Sequence, residues 1–272
     1  MEVKMSIKPI SQYMKSIEES VAAAMDVQQD TAIVPFLPYI YQDCWELGTP
    51  PEIVLKIIRE HYKAYSNFQV LDLGCGKGAV SIKLAETLKC KCHGIDAVPE
   101  FIAAAKEKAK EHDVDTLCQF EAGDVRKKIE ELDTFDVFIF GATGPIFSDY
   151  HTALIVLSKH LPDEGIVIIE ETYIDGQDTF QHSPLITREK LLKQFEQAGM
   201  ELIDETVNRH SVFADCAKDK GNIVKRCNEL KTKYPEKTSL FESYVQNQAS
   251  EYGILENKVG SSIMVLKRVK RE

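Results

Sequence analysis

The sequence lacks the long apolar runs and paired cysteines that mark membrane-spanning and secreted proteins. No run approaches the ~20 apolar residues that a membrane span needs. The first ten residues alternate polar and apolar side chains, unlike a signal peptide. The seven cysteines include no Cys-x-x-Cys pair. We therefore expect a cytoplasmic protein that has no disulfide framework and no contact with membranes.

Basic residues are also scarce. There are 33 lysines and arginines against 43 acidic residues, which gives a net charge of −10. The basic clusters are short: Arg126-Lys127-Lys128, Lys267-Arg268 and Lys270-Arg271. Nucleic-acid-binding proteins usually present a clustered basic face, so we expect no nucleic-acid partner and interpret these clusters as solvated.

No metal site is predicted. The run Cys90-Lys-Cys-His93 has suitable residue types. Neighbouring residues of a strand point to opposite faces, however, so Cys92 and His93 cannot both join Cys90. We interpret this run as structural.

A glycine-rich turn between a buried strand and a helix is the most informative feature that is present. Phe68–Leu73 is apolar enough for a buried strand, and a helical pattern begins at Ala79. The turn contains three glycines, Gly74, Gly76 and Gly78. The N-terminus of such a helix points free N–H groups at a ligand. A phosphate loop of the Walker type is excluded, because Gly78 stands where a Ser or Thr would follow Lys77.

Strand and helix patterns alternate from residue 68 to about residue 207. Strands are predicted at Phe68–Leu73, Cys90–Ile95, Leu117–Glu121, Phe135–Phe140, Gly165–Glu170, Glu201–Val207 and Ser262–Val269. Helices are predicted to begin near Ala79, Pro99, Asp149 and Arg188, the last capped by Thr187. This order predicts an α/β fold with a doubly wound, seven-stranded, mostly parallel sheet. No helix follows the last strand, so we expect it to enter antiparallel beside the sixth.

Two helical additions flank this core. Residues 1–65 are expected to form a cap with helices at Ile10–Met25 and Pro50–Tyr65, and residues 209–258 a helical insert on the substrate side. The core would then comprise residues 66–208 and 259–272. Thr49 is expected to cap the second helix, with Glu52 completing a capping box.

The glycine turn alone leaves the cofactor open. With Asp96 about 20 residues beyond Gly76, the turn fits the dinucleotide fingerprint of nicotinamide-dependent enzymes. With Asp72 before the glycines, it equally resembles the first motif of the class I S-adenosylmethionine-dependent methyltransferases. Both interpretations place Asp96 at the end of the second strand, where a carboxylate can accept ribose hydroxyls.

Four separated landmarks together resemble the class I methyltransferases. They are Asp72-Leu-Gly-Cys-Gly-Lys-Gly78, Gly94-Ile-Asp96, Ala122-Gly-Asp124-Val125 and Phe135-Asp-Val-Phe-Ile-Phe-Gly141. The resemblance implies a Rossmann-like methyltransferase core, S-adenosyl-L-methionine as cofactor and a small molecule as methyl acceptor. An insert before the last strand is similar to that of small-molecule methyltransferases, in which it roofs the site.

The resemblance also implies which residues hold the cofactor. In that family the glycine turn surrounds the methionine portion, the acid after the second strand holds the ribose, and the acid after the third strand meets the adenine. In similar methyltransferases an N-terminal segment folds over the cofactor, and the aromatic faces of Tyr41 and Trp45 would suit its sulfonium. The glycines of Gly141-Ala-Thr-Gly-Pro145 suit a loop that passes close beneath the cofactor. The predicted cofactor-binding residues are Asp72, Gly74, Cys75, Gly76, Gly78, Asp96, Ala97, Asp124, Val125, Gly141, Tyr41 and Trp45. Taken singly, the acids are also typical of helix caps, and the aromatic residues of packing anchors.

No catalytic residue is assigned from the sequence. If the acceptor must lose a proton, a base is expected near the end of the fourth or fifth strand. The candidates there are Tyr150, His151, Glu170 and Glu171. Each also has a structural interpretation in packing, at a helix start or at the surface.

Two other functions stay open at this point. One is an NAD(P)-dependent oxidoreductase, which the family landmarks and the lack of a second catalytic domain disfavour. The other is a non-catalytic, cofactor-binding regulatory module whose helical additions bind a partner. The acceptor atom and the oligomeric state are not predicted.

Overall fold

The structure, a computed structural model, describes residues 15–25, 30–62, 68–174, 185–207, 211–257 and 260–269. Its strands are β1 Gln69–Leu73, β2 Lys91–Asp96, β3 Cys118–Ala122, β4 Val137–Phe140, β5 Ile166–Ile174, β6 Ile186–Thr187, β7 Met200–Val207 and β8 Gly260–Arg268. Its helices are α1 Ile17–Ala24, α2 Leu37–Ile40, α3 Pro51–His61, α4 Ala79–Leu88, α5 Pro99–Glu111, α6 Val125–Lys128, α7 Tyr150–Leu157, α8 Arg188–Gln197, α9 Ser211–Lys233 and α10 Thr238–Asn257. The predicted start of a helix at Ile10 and the basic pair Lys270-Arg271 lie outside the described residues.

A single sheet runs through the described chain in the order β3, β2, β1, β4, β5, β8, β7. The first five strands in this order are parallel to one another, whereas β8 runs antiparallel between β5 and β7. The predicted doubly wound, mostly parallel sheet with an antiparallel last strand is therefore confirmed. An eighth strand, β6, is not predicted. Its Ile186 pairs with Tyr173 of β5, and a two-residue strand is too short to show periodicity.

Helices cover both faces of the sheet, as strands buried on both sides require. On one face, α3, α4 and α5 contribute buried side chains such as Ile57, Ile82 and Ile102. On the other face, α7 and α8 contribute Leu154 and Leu191. The carboxyl ends of the parallel strands are the edge at which ligands bind in such folds.

A third hydrophobic cluster brings together helices that are distant in the sequence. Ala22 of α1 and Leu37 of α2 pack with Ile223 of α9 and Phe241 of α10, and Phe101 of α5 belongs to the same cluster. We call α1, α2, α9 and α10 the helical cap. Since α5 begins just after β2, the cap packs beside the carboxyl end of that strand.

The helices predicted to begin near Ala79, Pro99, Asp149 and Arg188 are confirmed. Of the two predicted threonine caps, one is confirmed and one is wrong. The hydroxyl of Thr187 accepts the backbone N–H of Lys190 at 3.3 Å and so caps α8. The N-cap of α3, however, is Pro50, without a side-chain hydrogen bond. Thr49 instead lies before the N-cap and donates its hydroxyl to Glu170 of β5.

Candidate functional site

The glycine turn between β1 and α4 forms the centre of the candidate site. Gly74, Gly76 and Gly78 have φ angles of 70°, 53° and 75°, in the left-handed region that side chains disfavour. A Cβ atom at Gly74 would collide with the methyl group of Thr143, and one at Gly78 would lie 2.6 Å from the ring of Phe120. The turn therefore requires glycine both for its backbone and for its close contacts.

The start of α4 presents hydrogen-bond donors to this turn. Within the described chain, the backbone N–H groups of Ala79 and Val80 donate to no acceptor, as is usual for the first turn of a helix. Asp72 lies inside the fold and accepts the hydroxyl of Ser81 at 2.7 Å. Burial raises the pKa of Asp72 to about 6, opposed by the Ser81 hydrogen bond and increased by the charge of Asp96. Asp72 thus binds the first turn of α4 from its buried side, through Ser81.

Asp96 ties the turn to the end of β2. Its Oδ2 accepts the N–H of Gly76 at 2.8 Å, and its Oδ1 accepts the N–H of Val98 at 2.8 Å. Burial raises the pKa of Asp96, while the two backbone donors lower it. Each carboxylate oxygen has a further lone pair, so Asp96 can still accept hydroxyl groups from a ligand.

Cys75 and Ala97 lie on either side of this connection. A Cβ atom at Gly94 would be 2.8 Å from the Cys75 sulfur, so the side chain packs against the backbone of β2. Burial raises the pKa of the Cys75 thiol well above its usual range. Ala97 follows Asp96 and is half-buried. Cys75 thus lies in the glycine turn and Ala97 directly after β2, and the contact of both residues with a cofactor stays a prediction.

Asp124, at the end of β3, is paired with Arg126. The guanidinium donates to both oxygens of Asp124 at 2.8 and 3.0 Å, and the backbone N–H of Arg126 donates at 3.0 Å. Burial would raise the pKa of Asp124, but the bonds and charge of Arg126 outweigh it and leave the pKa lowered. Arg126 also donates to the carbonyl of Lys15 at 2.8 Å and to Ser20 of α1 at 3.3 Å. The adjacent Val125 is buried.

The interpretation of Arg126 as a solvated residue is therefore wrong. Its side chain is only 5% exposed, against 8% for that of Asp124. A basic run at a helix start is ordinarily solvated, but here Arg126 forms an ion pair with Asp124, two residues earlier. The local sequence Asp-x-Arg is the signal that could have indicated this pairing.

Leu47, Thr49 and the loop after β4 lie over the glycine turn. A Cβ atom at Gly76 would be 3.5 Å from Leu47, and one at Gly141 would be 2.9 Å from the Thr49 hydroxyl. In the loop, Ile146 has a φ of 56°, which is unusual for a β-branched residue. The predicted Gly141 loop thus contacts the segment before α3 as well as the turn.

Glu170 and Glu171 point to opposite faces of the sheet, because neighbouring strand residues alternate. Glu170 accepts the hydroxyl of Thr49. It lies beside Gly141, one step beyond the paired residues Phe140 and Ile169. Burial raises the pKa of Glu170 more than the Thr49 hydroxyl lowers it.

Glu171 belongs to a separate pair on the other face. It accepts the hydroxyl of Tyr150 at 2.6 Å, and burial raises its pKa despite this bond. Burial also raises the pKa of Tyr150. His151, the next residue of α7, is half-buried. The structure therefore brings Glu170, but not Tyr150 or Glu171, to the face on which Thr49 lies.

Tyr41 and Trp45 contact the turn and the cap through hydrogen bonds. The Trp45 indole donates to the backbone carbonyl of Lys77 at 3.2 Å. The Tyr41 hydroxyl lies 2.7 Å from that of Tyr244 in α10. Lys77, which the sequence does not predict as a site residue, donates to the backbone carbonyl of Tyr41 at 2.5 Å. A lysine surrounded by glycines and apolar residues is the signal that could have drawn attention to it.

Comparison with protein families finds a match over most of the chain. A family model described as a methyltransferase domain matches residues 64–248. The matched region contains the glycine turn, Asp96, Asp124 and Glu170.

Individual relatives agree with this match. A malonyl-acyl-carrier-protein O-methyltransferase from Bacillus cytotoxicus is 29% identical over 175 residues, which are 62% of this chain and 57% of that relative. The chain thus spans less than two thirds of that relative's length. A solved SAM-dependent methyltransferase from Thiobacillus denitrificans, in complex with S-adenosyl-L-homocysteine, has a TM-score of 0.71 at 17% identity, covering 86% of this chain and 98% of its own. The cyclase SpnF has a TM-score of 0.68 at 15% identity, covering 92% and 96%. At such identities the structural likeness shows the fold alone.

Proposed function

The chain belongs to the family of methyltransferase domains, and we propose that it transfers a methyl group from S-adenosylmethionine to a small-molecule acceptor. The match of residues 64–248 to a methyltransferase domain separates this function from the nicotinamide alternative, and the structural observation that supports the proposal is the position of Asp96. Its carboxylate holds the glycine turn and the start of α5 at one point, at 2.8 Å from Gly76 N and from Val98 N. It thereby places an acceptor for ribose hydroxyls beside the free N–H groups of α4.

The residues present fit this cofactor. The N–H groups of Ala79 and Val80 suit its carboxylate, since a helix N-terminus favours an anion. Asp96 has lone pairs left for two hydroxyl groups. At the adenine end, Asp124 already accepts three hydrogen bonds from Arg126, so an exocyclic amine would share this carboxylate rather than have it alone.

Little further chemistry is required of the protein. When bound, S-adenosylmethionine supplies a methyl group already activated on its sulfonium. The chain has to align an acceptor and exclude water, for which Leu47, Thr49 and the Gly141 loop are suitably placed over the turn. Glu170 is the candidate to hold or accept a proton from the acceptor. Its raised pKa brings the carboxyl closer to the range of an effective base at neutral pH.

The acceptor is proposed only as a class. The Bacillus cytotoxicus relative is named for a malonyl group on an acyl-carrier protein, so a carrier-linked acyl group belongs in an acceptor screen beside free small molecules. Among the described residues, no helix is both long and apolar enough to cross a membrane. The cytoplasmic location expected from the sequence stays a prediction.

Binding measurements separate this function from the nicotinamide alternative. Calorimetric titration with S-adenosylhomocysteine, NAD and NADP should show binding of S-adenosylhomocysteine alone. Binding of NAD without S-adenosylhomocysteine would overturn the proposal. Methyl transfer from radiolabelled S-adenosylmethionine into an acceptor screen then tests catalysis. A protein partner that covers the site and abolishes S-adenosylhomocysteine binding would favour the regulatory module instead.

A further inference from the structure

Lys77 connects the glycine turn to residues 41–47, which we call the connector. We propose that Lys77 is a positioning residue that holds the connector over the turn and thereby sets how tightly, and for how long, the cofactor is retained. This inference rests on the proposed function. Nothing in the glycine motif itself requires a cation at this position, because the turn needs only glycine's backbone freedom.

The Lys77 side chain is directed into the protein rather than into solvent. The residue is 8% exposed, and its Nζ donates to the backbone carbonyls of Tyr41 at 2.5 Å and of Cys44 at 2.7 Å. The ammonium also lies 5.7 Å from the ring centre of Phe101. A buried ammonium is costly unless it is well bonded, so these contacts determine where the connector lies.

The connection runs in both directions. The indole of Trp45 donates to the backbone carbonyl of Lys77 at 3.2 Å, while the Lys77 side chain donates to the connector. Leu47, at the end of the connector, lies 3.5 Å from a Cβ built at Gly76. The connector therefore cannot leave the turn without breaking the hydrogen bonds of both Lys77 and Trp45, and its departure would uncover Gly76.

The opposite side of the connector is attached to α9. Arg226 donates to both carboxylate oxygens of Asp43 at 2.7 and 2.8 Å. Just before the connector, the hydroxyl of Tyr39 donates to Glu229 at 2.7 Å. A chain that lacks the Lys77 ammonium would keep these contacts but would lose two of the three hydrogen bonds between the connector and the turn. The connector should then separate from the turn more readily while staying attached to the helical cap. This separates the proposed role from a general contribution to folding.

The only tryptophan of the chain, Trp45, reports the position of the connector directly. We would compare wild type with Lys77→Met, which keeps a long apolar side chain but loses both donors. The matched control is Lys108→Met, because the Lys108 ammonium also lies beside the connector, 5.4 Å from the Trp45 ring, but its hydrogen bond goes to Glu111. The measurements are iodide quenching of Trp45 without cofactor, and the Kd and dissociation rate of S-adenosylhomocysteine by calorimetry and by competition with labelled S-adenosylmethionine.

We expect Lys77→Met to increase the quenching of Trp45, to weaken S-adenosylhomocysteine binding at least about tenfold and to speed its dissociation, because only the closed fraction of molecules retains the ligand. The control should resemble wild type in affinity. Wild-type quenching or wild-type affinity in a cooperatively folded Lys77→Met would overturn the proposal. If that variant does not unfold cooperatively, Lys77→Gln, which keeps one donor, should show the same changes at smaller size, and wild-type behaviour there would refute it. Failure of the wild type to bind S-adenosylhomocysteine would instead count against the proposed function, while the quenching comparison would still decide whether Lys77 holds the connector.

Discussion

Replacing Asp96 by Asn tests the core of the site. The Asp96 carboxylate accepts one backbone N–H on each oxygen, from Gly76 and from Val98, both at 2.8 Å. Asparagine offers one oxygen and one NH2 group, so one of the two backbone donors loses its acceptor. A hydrogen bond to a charged group contributes about 1.5–3 kcal/mol. Since burial raises the pKa of Asp96, relief from the buried charge offsets part of that loss, and we expect a fall of about 1 kcal/mol in the free energy of unfolding.

The effect of Asp96→Asn on cofactor binding should be larger than its effect on stability. The ribose loses a charged acceptor, and the remaining NH2 group cannot accept a hydroxyl, so S-adenosylhomocysteine should bind about 10–100-fold more weakly. The assay is calorimetric titration, paired with urea unfolding of the same samples. Acidification should weaken wild-type binding as Asp96 becomes protonated below its raised pKa, and the asparagine variant should depend less on pH.

Asp136 provides a matched control for this experiment. Its two oxygens accept the Tyr62 hydroxyl at 2.7 Å and the Gln69 N–H at 2.8 Å, so it also has two donors. It precedes β4 and contacts the first residue of β1, at the opposite edge of the sheet from the glycine turn. Asp136→Asn should lower stability and leave S-adenosylhomocysteine affinity unchanged. Equal affinities of the two variants would refute the assignment of Asp96 to the ribose.

Three further substitutions test other parts of the site. Asp72 has a pKa of about 6 against a usual 3.8, so its ionisation opposes folding. The free energy of unfolding of Asp72→Asn, compared with that of wild type, should therefore be highest above pH 6 and fall by ~3 kcal/mol as the pH drops towards 4. A difference that does not change with pH in urea unfolding would contradict this. Gly74→Ala should lower the free energy of unfolding by about 1–3 kcal/mol more than Gly199→Ala does. Both glycines have a positive φ, but only a Cβ at Gly74 would collide with another side chain, that of Thr143. Equal losses would show that the loop after β4 moves to accommodate the added methyl group. Thr49→Val removes the hydroxyl that lowers the pKa of Glu170. The free energy of unfolding should therefore fall by about 1–2 kcal/mol near neutral pH, and by less in acid. An equal fall at all pH values would argue against the hydrogen bond between Thr49 and the Glu170 carboxylate.

The sheet was predictable because its signals are local and repeated. Each of the five parallel strands has buried apolar residues in a continuous or alternating pattern, and the order of helices between them leaves few topologies. The antiparallel entry of β8 followed from the absence of a helix after it. The two residues of β6 carry no such signal, since their pairing with Tyr173 and Ile174 is a contact of the folded sheet that two residues cannot indicate.

The roles of Thr49 and Arg126 could not be predicted in this way. Thr49 has the sequence context of a helix cap, and only the fold reveals that Glu170 lies within reach of its hydroxyl. Arg126 lies in a basic run. The spacing Asp-x-Arg could have indicated its pairing with Asp124, but only the fold shows that Arg126 also donates to Ser20 of α1. In each case the contact that the local sequence does not indicate is with a distant part of the chain: Glu170 for Thr49, and Ser20 for Arg126.

The alternation of β5 limits which carboxylate can serve the proposed chemistry. Glu170 and Glu171 are adjacent in sequence, so one of them must face away from the side on which Thr49 lies. Glu171 is bonded to Tyr150 at 2.6 Å in the cluster formed by α7 and α8, and removing Tyr150 would disturb that packing before it affected an acceptor. Glu170 lies next to Gly141, beneath the segments that cover the glycine turn. If a base assists methyl transfer, Glu170→Gln should therefore lower turnover with S-adenosylhomocysteine affinity intact, whereas Glu171→Gln should act mainly on stability.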